Sequence, residues 1–157
     1  MAQQIWLLRH GDAESRGSGT DAERRLTARG EQQSRVAGAA LAALGVHFSA
    51  VLSSPRIRAR DTARLAAEPL GVEPTVHEAL SGDFGSEQAL DLLVGRDDDV
   101  RLLLVGHEPD FGGILHDLTG ARIHLKKGGV AAVRVQGREG ELAVVLRPRE
   151  LDVISAA

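Results

Sequence analysis

The sequence predicts an α/β fold of three layers, α/β/α, with a mostly parallel central sheet and an antiparallel edge. Three observations predict it. Residues 5–8 and 100–105 are short, unbroken apolar runs, the pattern of strands covered on both faces. Helical periodicity fills the segments between such runs, and strands that alternate with helices wind a parallel sheet. From residue 123 onward the pattern turns to β with glycine-rich turns, which adds antiparallel strands at an edge.

The elements follow in order. Ile5-Trp6-Leu7-Leu8 is the first strand and stops at Arg9-His10-Gly11, after which residues 12–25 are polar and small, a loop. Thr27 stands where an N-cap belongs, and Val36, Ala40 and Leu44 recur at helical spacing before Gly45, so 28–44 is a helix. Residues 50–53 form a second strand, and Ser54-Pro55 leads into a helix that reaches about Leu70 and closes at Gly71. A brief third strand at 74–77, a loop at 79–86 and a short helix at 87–95 come next. Residues 100–105 are a buried strand ending at Gly106-His107, and Pro109 opens a helix to about Leu118. Residues 123–125, 130–135 and 142–146 read as β, with turns at 128–129 and 137–140.

Composition excludes several classes of function. At 157 residues the chain, 1–157, reads as one domain. It has no cysteine, which removes disulfides, thiolate metal sites and a cysteine nucleophile. Its 19 Lys and Arg against 22 Asp and Glu leave a net charge of −3, and aromatic residues are 3%, so neither a basic field nor a stacking platform invites nucleic acid. No apolar run is long enough to span a bilayer, and no basic, apolar leader opens the chain, so the expected location is cytoplasmic, away from the membrane.

In open α/β sheets ligands bind at the carboxyl ends of the strands. Three strand exits deliver polar groups there: Arg9-His10-Gly11, then Ser53-Ser54-Pro55 with Arg56, Arg58 and Arg60, then Gly106-His107-Glu108. Arginine offers a planar fork of donors suited to phosphate oxygens, and a neutral imidazole attacks phosphorus without prior deprotonation. The acidic run 97–99, Lys126-Lys127, and His47, His77, His116 and His124 read as solvated loop or surface residues.

Four ordered motifs carry a resemblance. Leu7-Leu8-Arg9-His10-Gly11-Asp12-Ala13 resembles the signature of the histidine phosphatase superfamily, the phosphoglycerate-mutase-like proteins. Leu26-Thr27-Ala28-Arg29-Gly30 is similar to its Leu-Thr-x-x-Gly. The segment Ser53-Ser54-Pro55-Arg56-Ile57-Arg58-Ala59-Arg60-Asp61-Thr62-Ala63 is similar to its second-strand motif, and Leu104-Val105-Gly106-His107-Glu108-Pro109 to its last. The resemblance implies a phosphatase in which His10 is the phosphorylated nucleophile, Arg9, Arg58 and His107 bind the phosphoryl group, and Gly11 lets the backbone approach it. Arg25 matches a basic residue of some members and is a candidate for substrate contact, while Arg56 and Arg60 fall on positions the motif leaves free. No cofactor is implied, and a cationic site of this kind would repel a metal.

Two departures from the family pattern bear on substrate. The chain lacks room for the inserted lid of larger members, so an open site is expected; a monomer is expected as well. Ser81 and Gly82 occupy the place of the usual acidic glutamate, with Glu78 on the strand side and Asp83 left as a possible general acid. An alkoxide leaving group needs a delivered proton, whereas a phosphorylated imidazole can leave already protonated. The combination resembles the small SixA-type phosphohistidine phosphatases and implies a phosphorylated protein of the histidine phosphotransfer type as partner. A phosphatase of small phosphate esters or nucleotides is the alternative within the class, and a non-catalytic phosphoprotein-binding module the alternative outside it.

Overall fold

A computed structural model describes residues 2–15 and 19–157, so residues 16–18 of the expected polar loop lie outside the described residues. The strands are β1 (Gln3–Arg9), β2 (Ala50–Ser53), β3 (Pro74–Val76), β4 (Arg101–Gly106), β5 (Val130–Gln136) and β6 (Glu139–Leu146). They form one sheet in the order β3-β2-β4-β1-β5-β6. The first four of that order run parallel; β5 lies antiparallel to β1, and β6 antiparallel to β5. This is the expected parallel sheet with an antiparallel edge.

The helices are α1 (Ala28–Ala43), α2 (Ile57–Leu70), α3 (Ser86–Asp91), α4 (Asp110–Thr119) and α5 (Pro148–Ala156). Strand alternation explains why the apolar runs are unbroken. Ile5, Leu7, Leu102 and Leu104 join one core with Phe84, Phe111, Ile114 and Leu115, beneath α3 and α4. Trp6, Leu8, Leu103 and Val105 join the other with Leu41, Ala59, Ala63 and Leu151, beneath α1, α2 and α5. Both faces of β1 and β4 are therefore sealed, and their backbones end at fixed positions on one edge. No helix among the described residues is long and apolar enough to cross a membrane.

The structure corrects four expectations. Residues 123–125 are not a strand, because β5 already fills the edge of β1 and the backbone of Leu125 bonds to side chains instead. β6 begins at Glu139 rather than 142, since Gly137 turns in the left-handed region (φ 64°) and closes the hairpin early. The loop at 79–86 contains a 3-10 turn, Glu78–Ser81, and the helix after it stops at Asp91. α5 was not expected. Its signals are a proline in the first turn, the Arg147 backbone N–H bonded to Glu150, and Leu151 facing the core.

Candidate active site

The parallel ladder carries β1 one residue past its end, where the His10 N–H donates to Gly106 O at 3.0 Å. Beyond it the chain turns against α1. A Cβ on Gly11 would lie 2.4 Å from the Gly30 carbonyl oxygen, and one on Gly30 would lie 1.9 Å from that of Asp12. Neither position tolerates a side chain, which gives the two motif glycines one shared cause. The Gly11 N–H donates to Thr62 Oγ1 (3.0 Å), and Thr62 Oγ1 donates to Arg58 O (2.7 Å). Ser34 Oγ completes the buried junction, 3.2 Å from Thr62 Oγ1 and 2.8 Å from Gly30 O. α1, α2 and the end of β1 thus meet under His10.

The His10 ring is 5% exposed, and its Nδ1 is 2.7 Å from Gly11 O. A carbonyl only accepts, so Nδ1 carries the proton and Nε2 keeps its lone pair. Burial pushes the imidazole pKa down to about 4; the bond to Gly11 opposes this, while the charges of Arg58, Arg9 and Lys127 add to it. His10 is consequently a neutral imidazole at neutral pH, in the tautomer whose Nε2 is free.

His107, from the end of β4, is 8% exposed, and its ring centroid lies 5.3 Å from that of His10. Burial, then the charges of His10, Arg58 and Arg56, lower its pKa to about 3. His107 Nε2 is 2.8 Å from the fully buried Ser54 Oγ, which already accepts the Arg56 N–H. Among the described residues the Ser54 hydroxyl proton has no acceptor other than His107 Nε2, which places the ring proton on Nδ1.

Arg58, in the first turn of α2, is 5% exposed and donates through Nη1 to Asp21 O (2.8 Å) and Nη2 to Asp21 Oδ2 (3.1 Å). Arg56 also pairs with Asp21, and Arg24 donates to its Oδ1 at 3.0 Å. Burial alone would raise the Asp21 pKa, but hydrogen bonds from Arg24 and Arg58 and the charges of Arg58 and Arg56 bring it down to about 2. One carboxylate therefore holds three guanidinium groups together. Arg9 is fixed from the other side, with Nη1 donating to Leu125 O at 2.8 Å. Leu125 is itself held through its N–H by Glu108, whose side chain is 3% exposed and accepts the N–H groups of Gly112 and Leu125, each at 2.6 Å.

Arg9, His10, Arg58 and His107 line one cleft of about 520 Å³. Asp83 stands at its rim, exposed, with φ 53°. Three buried polar atoms have no partner among the described residues: Arg9 Nε, Arg58 Nε and His107 Nδ1. All belong to the residues around His10, and buried polar groups left unpaired in this way mark a site built for a ligand rather than for stability.

Other placements differ from expectation. Arg25 is exposed and outside the cleft, because the Ala13–Leu26 bridge turns it outward; its neighbour Arg24 lines the cleft instead. Arg56 is not free surface but part of the Asp21 cluster, whereas Arg60 is exposed. Lys127 lines the cleft and lies 3.4 Å from Asp12 Oδ1, so it is not merely solvated, whereas His124 is the expected surface loop residue, 70% exposed, with its ring 3.4 Å from Arg9. Asp21, Arg24, Ser54, Thr62 and Glu108 were missed as site residues. Thr62 and Ser54 lie within the second-strand motif, but nothing local in the sequence marks Asp21. No group of three or more His, Asp or Glu with metal-holding geometry occurs among the described residues.

Comparison with known families decides the lineage. Residues 5–92 match the model of the histidine phosphatase superfamily (branch 1), more than half of the chain. The chain belongs to the histidine phosphatase superfamily. An uncharacterised protein of Picosynechococcus is 36% identical over 94% of this chain and 98% of its own. The protein histidine phosphatase SixA, solved with tungstate, superposes with a TM-score of 0.85 at 26% identity, covering 95% of this chain and 99% of that one. An α-ribazole phosphatase from Shigella flexneri superposes at 0.71 with 20% identity over 93% and 97%, a likeness of fold. Among histidine phosphatases, then, this chain is similar to the small SixA-like members and has their extent.

Proposed function

We propose that this protein is a phosphatase that works through a phosphohistidine on His10 and removes phosphate from phosphohistidine in a protein. The observation that carries the reading is the state of His10: neutral, its Nδ1 proton held by Gly11 O, its Nε2 lone pair beside two guanidinium groups and His107 with unmet hydrogen bonds. In the first step Nε2 attacks phosphorus and the substrate's P–N bond breaks, the departing imidazole leaving neutral with the proton it already carries. In the second, water attacks phosphorus, the P–Nε2 bond breaks, and inorganic phosphate leaves. Arg9, Arg58 and the His107 Nδ1–H donate to the phosphoryl oxygens as charge shifts onto them; Gly11, expected to let the backbone approach the phosphate, does not line the cleft and instead closes against Gly30 beneath His10.

One feature favours a nitrogen leaving group. Ser81 and Gly82 line the cleft where an acid would serve an alkoxide, and an imidazole leaving group titrates near neutrality and needs no such acid. Tungstate, found in the similar SixA structure, is a tetrahedral oxyanion of the kind this donor set suits. A small phosphate ester is the second reading, favoured by Asp83, a rim carboxylate with no hydrogen bond among the described residues, which would then deliver the proton.

The test is incubation with a phosphohistidine-bearing phosphotransfer domain carrying labelled phosphate. Release of phosphate by wild type, transient label on the protein, and loss of both in His10→Ala are expected. Turnover of phosphate esters but not of phosphohistidine would transfer the case to the second reading. Binding without turnover would make the protein a phosphoprotein-binding module.

A further inference from the structure

A second hollow, of about 640 Å³, adjoins the cleft and shares Arg9 and Lys127 with it. Its walls come from the loop before β5, the start of α1 and the start of α5. Six Lys or Arg side chains line it against two carboxylates, Asp12 and Asp152, in a chain whose net charge is −3. The rest of the surface is correspondingly acidic, so this groove is a local field of opposite sign to the whole.

Three of its cations already have partners, Arg9 on Leu125 O, Lys127 on Asp12 and Arg147 on Glu150, and the others are rim groups. Lys126 and Arg29 are exposed and make no ion pair with the described residues, while Arg149 is 76% exposed and only 3.7 Å from Glu150. Long, solvated side chains of this kind form a poor cage for a small anion. They suit several carboxylates spread along a chain, contacts that contribute modestly each and act together on association. The shared lining residues make the groove continuous with the cleft, so a segment whose phosphoryl group reaches His10 has its flanking residues over these cations.

We infer that the groove receives acidic residues that flank the phosphohistidine of the substrate, an inference that rests on the phosphohistidine reading above. It is a specificity surface that meets the phosphoryl site at Arg9, while its outer cations Lys126 and Arg149 do not line the cleft.

The test uses two synthetic peptides, each with one phosphohistidine, one flanked by glutamates and one by serines, and the small P–N compound phosphoramidate. Wild type is compared with the double variant K126E/R149E at low and at high salt. Wild type is expected to prefer the glutamate peptide about tenfold in kcat/KM at low salt, through KM, with the preference fading as salt screens the charges. The double variant is expected to lose that preference and to turn over phosphoramidate like wild type, which also shows that it is folded. Equal turnover of the two peptides by wild type, or a preference that survives in the variant, overturns the groove and leaves the phosphohistidine reading standing. Turnover of p-nitrophenyl phosphate with neither peptide hydrolysed overturns that reading, and the groove falls with it.

Discussion

Glu108→Gln is the most informative single change. The carboxylate is 3% exposed and accepts two backbone N–H groups, from Gly112 and Leu125, at 2.6 Å each. Glutamine has nearly the same shape but only one oxygen. Whichever way the amide turns, one backbone N–H then faces an NH2 group, and the other has lost a charged acceptor. Hydrogen bonds to charged groups contribute about 1.5–3 kcal/mol, and a buried donor left unmet costs about 1–3 kcal/mol. The change should therefore lower stability by about 2–4 kcal/mol, a fall in Tm of roughly 5–15 °C for a chain of this size. The effect should reach the cleft too, because Leu125 presents the carbonyl that Arg9 Nη1 is bonded to. Below the new Tm we expect about a tenfold loss in kcat/KM on phosphohistidine substrate. Thermal unfolding by circular dichroism and steady-state turnover measure the two effects. A Tm within 1 °C of wild type, with unchanged turnover, would refute the account of Glu108 as the anchor of this loop.

Three further outcomes follow from the same geometry. His10 and His107 have folded pKa values of about 4 and about 3, below the unfolded value near 6.5, so unfolding takes up protons on acidification. The stability they contribute is complete above about pH 6.5 and is lost as pH falls toward the folded values. By pH 5 the loss is about 2 kcal/mol for each ring. Urea unfolding at pH 7 and pH 5 should show it, and His107→Ala should halve the slope; an unaltered slope sinks the assignment. Gly30→Ala forces a Cβ to within 1.9 Å of the Asp12 carbonyl oxygen, so the variant should lose more than about 2 kcal/mol, the upper range of ordinary substitutions, and wild-type stability would contradict the packing. Ser54→Ala removes the hydroxyl that fixes the His107 tautomer; kcat should fall about tenfold or more with KM little changed, whereas a pure KM effect would place Ser54 in substrate binding instead.

Legibility in the sequence followed chain distance. The strands of the core were readable because burial on both faces leaves an unbroken apolar run, as in 5–8 and 100–105. His10, Arg58 and His107 were readable because each follows a strand exit, directly or by one helical turn. What escaped depends on pairs far apart in the chain. Asp21 meets Arg58 across 37 positions, Leu125 meets Glu108 across 17, and Arg9 meets Leu125 across 116. No local pattern announces such partners, since an acidic residue in a polar loop looks the same whether it clamps three arginines or only water. Arg25 and Arg24 show the limit at its finest. A single β-bridge, Ala13–Leu26, orients that stretch and decides which of two adjacent arginines enters the cleft.

The junction of Gly11, Gly30, Ser34 and Thr62 has an implication for how such a protein can change over time. The stretch that carries His10 is bolted to the two helices beneath it through contacts with no slack, so drift at those positions is met by misfolding. The segments 77–85 and 120–129 border the cleft without entering that junction. The exposed positions of that border, Gly82, Asp83 and Lys126, therefore have room for change that the floor, and Leu125 within the border, lack.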